Sequence, residues 1–190
     1  MKKRYHTMPN VVFDHYLLRT IHKKDYRDMY DYGKDNEVTK YLTWGPMTTP
    51  KEAKRSIKGI FYPRVKQGLP RGYAIVDLHN DKMIGTIDFH SKPANINGAE
   101  VGFCLHKDYW NQGIMTKALK ELITIGFEYL EYDVILIKHL KSNIASQKVI
   151  LKANFQYVSQ EPFKLEKSTQ VIDETVVIYQ LTKERYYASK

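Results

Sequence analysis

The segment from residue 110 to residue 116 carries the residue types with the clearest chemical use. Gly113 stands between a predicted strand, which ends near His106, and the predicted helix that follows. Glycine lets the backbone approach a ligand, and the first amides of a helix have no internal acceptor, so the segment could bind a pyrophosphate. The alternative is an ordinary strand-to-helix turn. The candidate residues are Trp110, Asn111, Gln112, Gly113, Ile114, Met115 and Thr116.

A second polar segment lies farther along the chain and also follows a predicted strand. The sequence Asn-Ile-Ala-Ser begins at Asn143 and opens a predicted helix over residues 143–152. Its plain interpretation is a helix capped by Ser142 or Asn143, with Asn154 in the left-handed position that ends such a helix. The two segments together are more specific than either one alone.

These segments need a sheet and helices to position them. Seven runs of strand length predict strands at residues 12–20, 72–78, 82–90, 98–106, 133–139, 155–163 and 171–181. Helices are predicted at residues 23–34, 51–67, 116–130 and 143–152. The sequence Thr-Pro-Lys-Glu from Thr49 predicts the start of the second helix, with the Thr49 hydroxyl accepting from the Glu52 amide.

This order of elements predicts one α/β domain over residues 1–190. Its sheet is expected to be mixed and mainly antiparallel, with about seven strands, flanking helices and one central β-helix-β crossover. The apolar positions of the helix in that crossover follow a period near 3.6 residues, which is typical of a helix packed on a sheet. They are Ala118, Leu119, Leu122, Ile123 and Phe127.

Composition excludes several classes of protein. The chain has 190 residues, 43% hydrophobic and 27% charged, which is typical of a folded globular domain. Neither a secretory signal nor a membrane span is apparent, and Cys104 is the only cysteine, so we expect a cytoplasmic protein without disulfides. The seven histidines show no metal-binding spacing, so no metal site is expected.

The net charge favours anionic partners. The chain has 30 Lys and Arg against 21 Asp and Glu, a net charge of +9. Fifteen tyrosines on a basic chain could stack on nucleic acid bases, but they are scattered, so no nucleic acid partner is expected. A phosphate-rich small molecule explains the surplus equally well.

The sequence resembles the GNAT superfamily of acyl-CoA N-acyltransferases, and within it the RimJ/RimL-like branch, which acetylates protein N-terminal and other amines. The resemblance covers almost the whole chain. It rests on Leu18-Arg19, Tyr41-Leu42 with Trp44-Gly45-Pro46, Ile84-Gly85-Thr86-Ile87, Ala99-Glu100-Val101-Gly102-Phe103, His106-Lys107-Asp108-Tyr109-Trp110, residues 113–119, residues 143–146 with Phe155, and Val177-Ile178-Tyr179-Gln180-Leu181.

The chain departs from the wider superfamily at four positions. Trp110 and Met115 flank the central glycine, Gly113, at positions where many GNAT enzymes carry other residues. Both residues are familiar in the RimJ/RimL-like branch. Ile150 stands where other branches carry a tyrosine that protonates the departing thiolate, so that acid is missing. Asn154 replaces a glycine, a conservative change because asparagine tolerates positive φ.

The resemblance implies acetyl-CoA as cosubstrate, bound in a gap between the strand that contains Glu100 and the strand over residues 133–139. Backbone amides of residues 111–116 would bind the pyrophosphate, and Asn143 would hydrogen-bond the pantetheine arm. An amide near Phe103 would polarise the acetyl carbonyl. The full set of implied cofactor-binding residues is Phe103, Cys104, Leu105, Trp110, Asn111, Gln112, Gly113, Ile114, Met115, Thr116, Asn143 and Ser146.

The catalytic candidates are Glu100 and Ser146. Glu100 would be the base, directly or through water, and Ser146 would protonate or hydrogen-bond the sulfur of the leaving group. The alternatives are an ordinary ion pair for Glu100 and a serine bonded to its own helix backbone for Ser146. His139 could be an acid, a base or a plain strand-end histidine. An acetyl-cysteine mechanism through Cys104 is disfavoured, since a lone cysteine is typically a small buried residue.

The implied activity is direct transfer of an acetyl group to a primary amine in a ternary complex. The acceptor is expected to be a protein N-terminal α-amine; small-molecule amines, or a CoA sensor without catalysis, are the alternatives. We expect the acceptor groove to form from residues 36–44, 51–67 and 161–169. The candidate acceptor-binding residues are Tyr41, Trp44, Glu100 and His139, with Phe61 as a further wall. The alternative for Tyr41, Trp44 and Phe61 is that they are plain core aromatics. A homodimer is possible because relatives often form dimers.

Overall fold

A computed structural model describes residues 8–167 and 171–190, and its framework is one eight-stranded sheet. The strands lie in the order β1-β2-β3-β4-β5-β6-β8-β7. Every neighbouring pair is antiparallel except β5 and β6, which are parallel. The strands are β1 Val11–Phe13, β2 Tyr16–Thr20, β3 Tyr73–Asp77, β4 Lys82–Ser91, β5 Gly98–Leu105, β6 Val134–Leu140, β7 Gln156–Glu166 and β8 Val171–Thr182.

The mixed, mainly antiparallel sheet with its central crossover confirms the predicted fold class. The eighth strand arises because the first predicted strand, over residues 12–20, is two strands joined by a tight turn. Asp14 adopts a φ of 48° in that turn, and β1 then pairs back on β2. Aspartate tolerates this conformation, but the run of apolar residues concealed the reversal.

The helices are α1 Tyr26–Gly33, α2 Asn36–Thr39, α3 Pro50–Ser56, α4 Ile114–Thr124, α5 Ile144–Lys152 and α6 Lys183–Ala188. The predicted helix over residues 51–67 is wrong in its continuity. After α3 the chain forms a π turn, Ile57–Phe61, and a separate 3₁₀ turn, Pro63–Gln67, because Pro63 has no amide hydrogen to extend a helix. The sequence pattern also gave no indication of α6.

The start of α3 is capped differently from the prediction. The Thr49 side chain makes no capping hydrogen bond. The Glu52 carboxylate instead accepts from the backbone amide and the hydroxyl of Thr48, at 2.8 and 2.6 Å. Pro50 begins the helix as predicted, but the predicted Thr49 cap is wrong, and the Glu52 carboxylate supplies the contact with the residue before Thr49.

Two buried clusters cover the two faces of the sheet. On one face, α4 and α5 pack their apolar side on β4, β5 and β6, and the predicted α4 positions from Ala118 to Phe127 are all buried. On the other face, α1 and α3 cover Ala74, Val76, Met83 and Cys104. No helix in the described ranges has the length and apolar character that a membrane crossing requires.

Candidate active site

The two parallel strands separate halfway along their length. The β5–β6 ladder begins at the pair Gly98 and Val134 and ends at the pair Val101 and Ile137. Both strands continue beyond that point, β5 on β4 and β6 on β8. A gap therefore opens in the middle of the sheet, where the sequence analysis expected one.

Backbone groups of β5 face this gap. The His106 amide donates to the Ile84 carbonyl at 2.7 Å, so His106 points toward β4. Because hydrogen-bonding direction alternates along a strand, the amides of Phe103 and Leu105 point the other way, toward the gap. The Cys104 amide points toward β4. Of the three cofactor residues predicted on β5, two thus present their amides to the open side.

The loop between β5 and α4 contains two residues with left-handed backbone conformations. Asn111 and Gly113 both take left-handed conformations, with φ of 61° and 78°. The Trp110 indole donates to the Leu105 carbonyl at 2.8 Å, and the Gln112 side-chain amide donates to the Asp108 carbonyl at 2.9 Å. These two bonds fix the loop against the end of β5. A Cβ built on Gly113 meets nothing within 4 Å, so the space in front of it is open.

The first turn of α4 offers its amides and buries its side chains. Ile114 and Met115 are almost fully buried in the core, and Thr116 is half-buried. The backbone bond that closes the first turn runs from the Lys117 amide to the Gly113 carbonyl, so the preceding amides have no partner within the helix. Met115 is therefore a packing residue, and only its amide is available to a ligand.

The start of α5 shows which polar residue caps the helix. The Asn143 side chain accepts from the Ser146 amide at 3.1 Å and caps the helix. Ser142 is occupied elsewhere, since its amide and hydroxyl both donate to the Glu174 carboxylate. Within the described ranges, no hydrogen bond is made by the Ser146 hydroxyl, and Ile150 is fully buried one turn farther on.

His139, a candidate from the sequence, is buried beside the site. It is 5% exposed and stacks on Tyr179, with ring centroids 5.5 Å apart. Its Nδ1 lies 2.8 Å from the Leu140 carbonyl, which can only accept, so Nδ1 carries the proton. Its buried Nε2 has no hydrogen-bond partner among the described residues. In the neutral ring, Nε2 is therefore a hydrogen-bond acceptor that is not used. His139 also lines the cavity that is described next.

A cavity of about 730 Å³ joins the gap to the face covered by α1 and α3. Tyr41, Trp44 and Phe61 contribute to its walls, as do Glu161 and other residues of the β7–β8 hairpin. Asn143, Ser146 and His139 line it from the opposite face of the sheet. The cavity thus passes between the separated strands. Two predicted groove residues, Ser168 and Thr169, lie outside the described residues.

Glu100 lies on the cavity wall where the strands separate. Its carboxylate is 3.2 Å from the Lys138 ammonium and 3.5 Å from His90 Nε2, and the Ser91 hydroxyl is also 3.5 Å away. Its side chain is 16% exposed. The ordinary ion pair considered from the sequence is present, and it holds the carboxylate in the cavity.

Two cavity features were not predicted. Arg64 and Asp88 form a buried ion pair at 2.9 Å, with the guanidinium over the Phe61 ring. The Lys167 ammonium donates to the carbonyls of Thr39 and Leu42, both at 3.0 Å, and so ties the β7–β8 hairpin to the α2 segment. Burial lowers the pKa of Lys167 below its usual value. Both features depend on side chains from distant segments, so neither has a local sequence signal.

Cys104 lies on the face of β5 that α1 and α3 cover and is 7% exposed. Burial raises the pKa of its thiol from 9.0 to about 12. A thiol of this kind is protonated at neutral pH and is a poor nucleophile. This observation supports the sequence-based preference for direct transfer over an acetyl-cysteine intermediate.

Comparison with known proteins assigns most of the chain to one family of enzymes. The family described as "Acetyltransferase (GNAT) domain" matches this chain over residues 15–156. The "Uncharacterized N-acetyltransferase p20" of Bacillus licheniformis is 28% identical over 149 residues, which cover 78% of this chain and 83% of that protein.

Two solved structures show the same fold. The ribosomal-protein-S5-alanine acetyltransferase from Vibrio fischeri aligns with a TM-score of 0.75 at 20% identity, over 93% of this chain and 98% of its own. RimL, a ribosomal L7/L12 α-N-protein acetyltransferase in complex with CoA, aligns with a TM-score of 0.76 at 20% identity, over 94% and 99%. Because the family match extends over most of the chain, the protein belongs to the GNAT family of acetyl-CoA-dependent N-acetyltransferases.

Proposed function

We propose that the protein acetylates the α-amine of a protein N-terminus by direct attack on acetyl-CoA in a ternary complex. The observation that carries this proposal is the separation of β5 and β6 after Val101 and Ile137, directly beside Glu100. The gap gives the acetyl thioester a path through the sheet, from the face with α4 and α5 to the cavity beside α1 and α3. Acetyl-CoA and the amine would therefore approach each other from opposite faces.

The cofactor half of the proposal rests on backbone groups. The unpaired amides at the start of α4 and in the open turn at Gly113 suit the pyrophosphate. The outward amides of Phe103 and Leu105 suit the pantetheine, which would pair with β5 like an added strand. The Phe103 amide would also polarise the acetyl carbonyl, because it lies where the gap begins.

Asn143, Ser146 and His139 would complete the cofactor side. The side-chain oxygen of Asn143 caps α5, so its side-chain nitrogen is the group that would bind pantetheine. The Ser146 hydroxyl would donate to the departing sulfur, in place of the tyrosine that Ile150 replaces. The buried Nε2 of His139 would accept an N–H from bound cofactor or acceptor, which would satisfy an otherwise unpaired buried nitrogen.

The acceptor half rests on Glu100 and on the chemistry of amines. A nucleophilic amine must be neutral, and an α-amine with a pKa near 8 is about one-tenth neutral at pH 7. A lysine amine with a pKa near 10.4 requires about 4 to 5 kcal/mol for the same deprotonation. Glu100, acting directly or through a water, would remove the proton, and Lys138 would hold its carboxylate in place. Such a modest base suits an α-amine better than a lysine.

Relatives and net charge support a protein acceptor. Two structural neighbours carry names that describe acetylation of ribosomal proteins, S5 for one and the α-amine of L7/L12 for the other. The net charge of +9 would steer an acidic protein toward the cavity. We therefore place acidic proteins with free N-termini first among the acceptors.

The test is a panel of acceptors incubated with acetyl-CoA and analysed by mass spectrometry. It contains an acidic peptide with a free α-amine, the same peptide blocked at that amine but carrying an internal lysine, and a polyamine. We expect kcat/KM for the free α-amine to exceed that for lysine by at least tenfold, because the lower amine pKa makes the neutral form roughly 200-fold more abundant at pH 7. Preference for the polyamine would replace the proposal with small-molecule acetylation, and tight CoA binding without any turnover would indicate a sensor.

A further inference from the structure

Three potential metal ligands meet outside the active site, at the ends of two hairpins. A ring nitrogen of His15, a carboxylate oxygen of Asp77 and a ring nitrogen of His79 all lie within 4.8 Å of one another. His15 belongs to the turn between β1 and β2, and His79 to the turn between β3 and β4. Neither the gap nor the cavity includes any of the three.

Strand pairing brings these distant residues together. Tyr16 pairs with Asp77 in the β2–β3 ladder, and the Leu78 amide donates to the His15 carbonyl at 3.0 Å. The two turns are therefore held side by side by the backbone. The sequence analysis expected no metal site because histidine spacing was its only guide, and spacing carries no information about this register.

Asp77 is held as an oriented ligand would be. It is only 6% exposed, and its Oδ2 accepts from the Tyr109 hydroxyl at 3.0 Å and from the Asn80 side-chain amide at 3.2 Å. Among the described residues, its Oδ1 accepts only from the His79 backbone amide, at 3.0 Å. A carboxylate has about four acceptor positions, so one remains on Oδ1. Hydrogen bonds of this kind orient the carboxylate ligands of metal sites.

The two imidazoles are exposed and close to each other. Their ring centroids are 4.4 Å apart with an interplanar angle of 39°, and His15 also packs on Tyr16. A tetrahedral ion with bonds of about 2.1 Å holds its ligand atoms roughly 3.4 Å apart. Because the ligand atoms lie within 4.8 Å of one another, they need to close by at most about 1.4 Å, and exposed side chains reach this by small rotations. Two imidazoles and one carboxylate suit Zn²⁺, Co²⁺ or Ni²⁺ better than Mg²⁺ or Ca²⁺, which prefer oxygen ligands.

We propose that His15, Asp77 and His79 bind a divalent transition-metal ion such as Zn²⁺, with water in the remaining coordination position. The ion would join the β1–β2 turn to the β3–β4 turn. Two contacts connect this site to the loop and helix of the candidate pyrophosphate site. Tyr109, which bonds Asp77, immediately precedes Trp110, and Lys117 of α4 pairs with Asp14 at 2.6 Å beside His15. The role assigned to the ion is structural, and acetyl transfer does not depend on it.

The test uses the full chain without an affinity tag, treated with chelator and dialysed before use. Calorimetric titration with ZnCl₂ at about pH 7.5, where free imidazole is neutral, measures affinity and stoichiometry. CoCl₂ in a parallel titration reports geometry through its visible absorption. The variants are His15→Gln and His79→Gln, and the matched control is His22→Gln, since His22 is also exposed but lies outside the cluster.

We expect one Zn²⁺ per chain with a Kd below about 10 μM, and a rise in Tm on adding Zn²⁺ that MgCl₂ does not produce. Each cluster variant should bind at least about tenfold more weakly and lose the rise in Tm, whereas the control should match the wild type. Circular dichroism checks that each variant is folded. Wild-type binding weaker than about 100 μM, or equal binding by wild type and both cluster variants, would overturn the proposal.

Discussion

The Glu100 carboxylate lies 3.2 Å from the Lys138 ammonium, at the point where β5 and β6 stop pairing. One partner comes from each of the two separating strands, so the ion pair spans the opening of the gap. An acceptor that enters as an ammonium ion can pair with the same carboxylate beside Lys138. The pair therefore marks the place where amine and thioester would meet.

Replacement of Glu100 by glutamine should separate catalysis from cofactor binding. Glu100→Gln keeps the shape of the side chain but removes the base, so we expect kcat to fall by about 100-fold with CoA affinity within twofold of wild type. Steady-state kinetics and calorimetry measure the two effects. Glu166→Gln, an exposed carboxylate outside the cavity, is the matched control. An unchanged kcat in Glu100→Gln would remove Glu100 as the base.

Gly113 should be the position where substitution affects cofactor binding most. Gly113→Glu places a negative side chain in the open space before the loop amides, at a φ of 78° that disfavours it, and should weaken CoA binding by more than about 30-fold. Gly113→Ala adds only the backbone strain, so its loss of CoA affinity should be smaller. Calorimetry with CoA, with a thermal melt of each variant, measures both. A folded Gly113→Glu protein with wild-type CoA affinity would contradict the loop assignment.

Cys104 should be dispensable for the chemistry. Because burial raises its pKa to about 12, the thiol stays neutral from pH 6 to pH 9 and its removal should leave kcat within about threefold of wild type. Cys104→Ala removes it, and intact-mass analysis of wild type after incubation with acetyl-CoA should show no acetylated protein. An acetyl group on Cys104, or inactivity of a folded Cys104→Ala, would indicate a covalent intermediate instead.

Lys167 should govern acceptor binding without affecting the cofactor. Lys167→Ala removes both hydrogen bonds to the α2 segment and releases the hairpin over the cavity, so the acceptor KM should rise by about threefold to tenfold. CoA affinity should not change. Lys164→Ala, in the same β7–β8 hairpin but exposed, is the control. Equal kinetics for the two variants would show that the hairpin contact has no part in acceptor binding.

Asp31 should stabilise the fold in a manner that depends on pH. Hydrogen bonds from Lys82 and Lys34 lower its pKa from 3.8 to about 2. A depressed carboxyl pKa stabilises the folded state above pH 4, and the effect disappears as pH falls toward 2. Asp31→Asn should therefore cost about 1 kcal/mol at pH 7, after allowance for solvent screening of this partly exposed group, and little at pH 2.

Urea unfolding of Asp31→Asn and wild type at the two pH values measures this difference. Asp173→Asn is the control, because Asp173 is exposed and lies 4.0 Å from its Lys164 partner. A difference between Asp31→Asn and wild type that persists at low pH would assign the stabilisation to packing and not to charge.

The parts of the site with local signals were predictable from the sequence. Gly113 immediately precedes α4 in a strand-turn-helix pattern that spans few residues. Asn143 precedes α5, whose cap depends only on the first turn of that helix. The apolar period of α4 likewise identified the face that packs on the sheet. Each of these depends on contacts between residues that are close in sequence.

The parts set by register were not predictable. The reversal at Asp14, the placing of Lys138 against Glu100 and the approach of His15 to Asp77 all depend on which strand pairs with which, and on the residue at which pairing stops. Single-sequence patterns carry no such information. The unpartnered Nε2 of His139 depends in addition on how its ring packs on Tyr179.

The most direct test of the account is amide hydrogen exchange with and without saturating acetyl-CoA, because it locates the cofactor without assuming an acceptor. The account predicts that exchange slows by at least about tenfold at Phe103, Leu105 and residues 111–116, with smaller changes on β7. Binding of acetyl-CoA without added protection at these amides would contradict it.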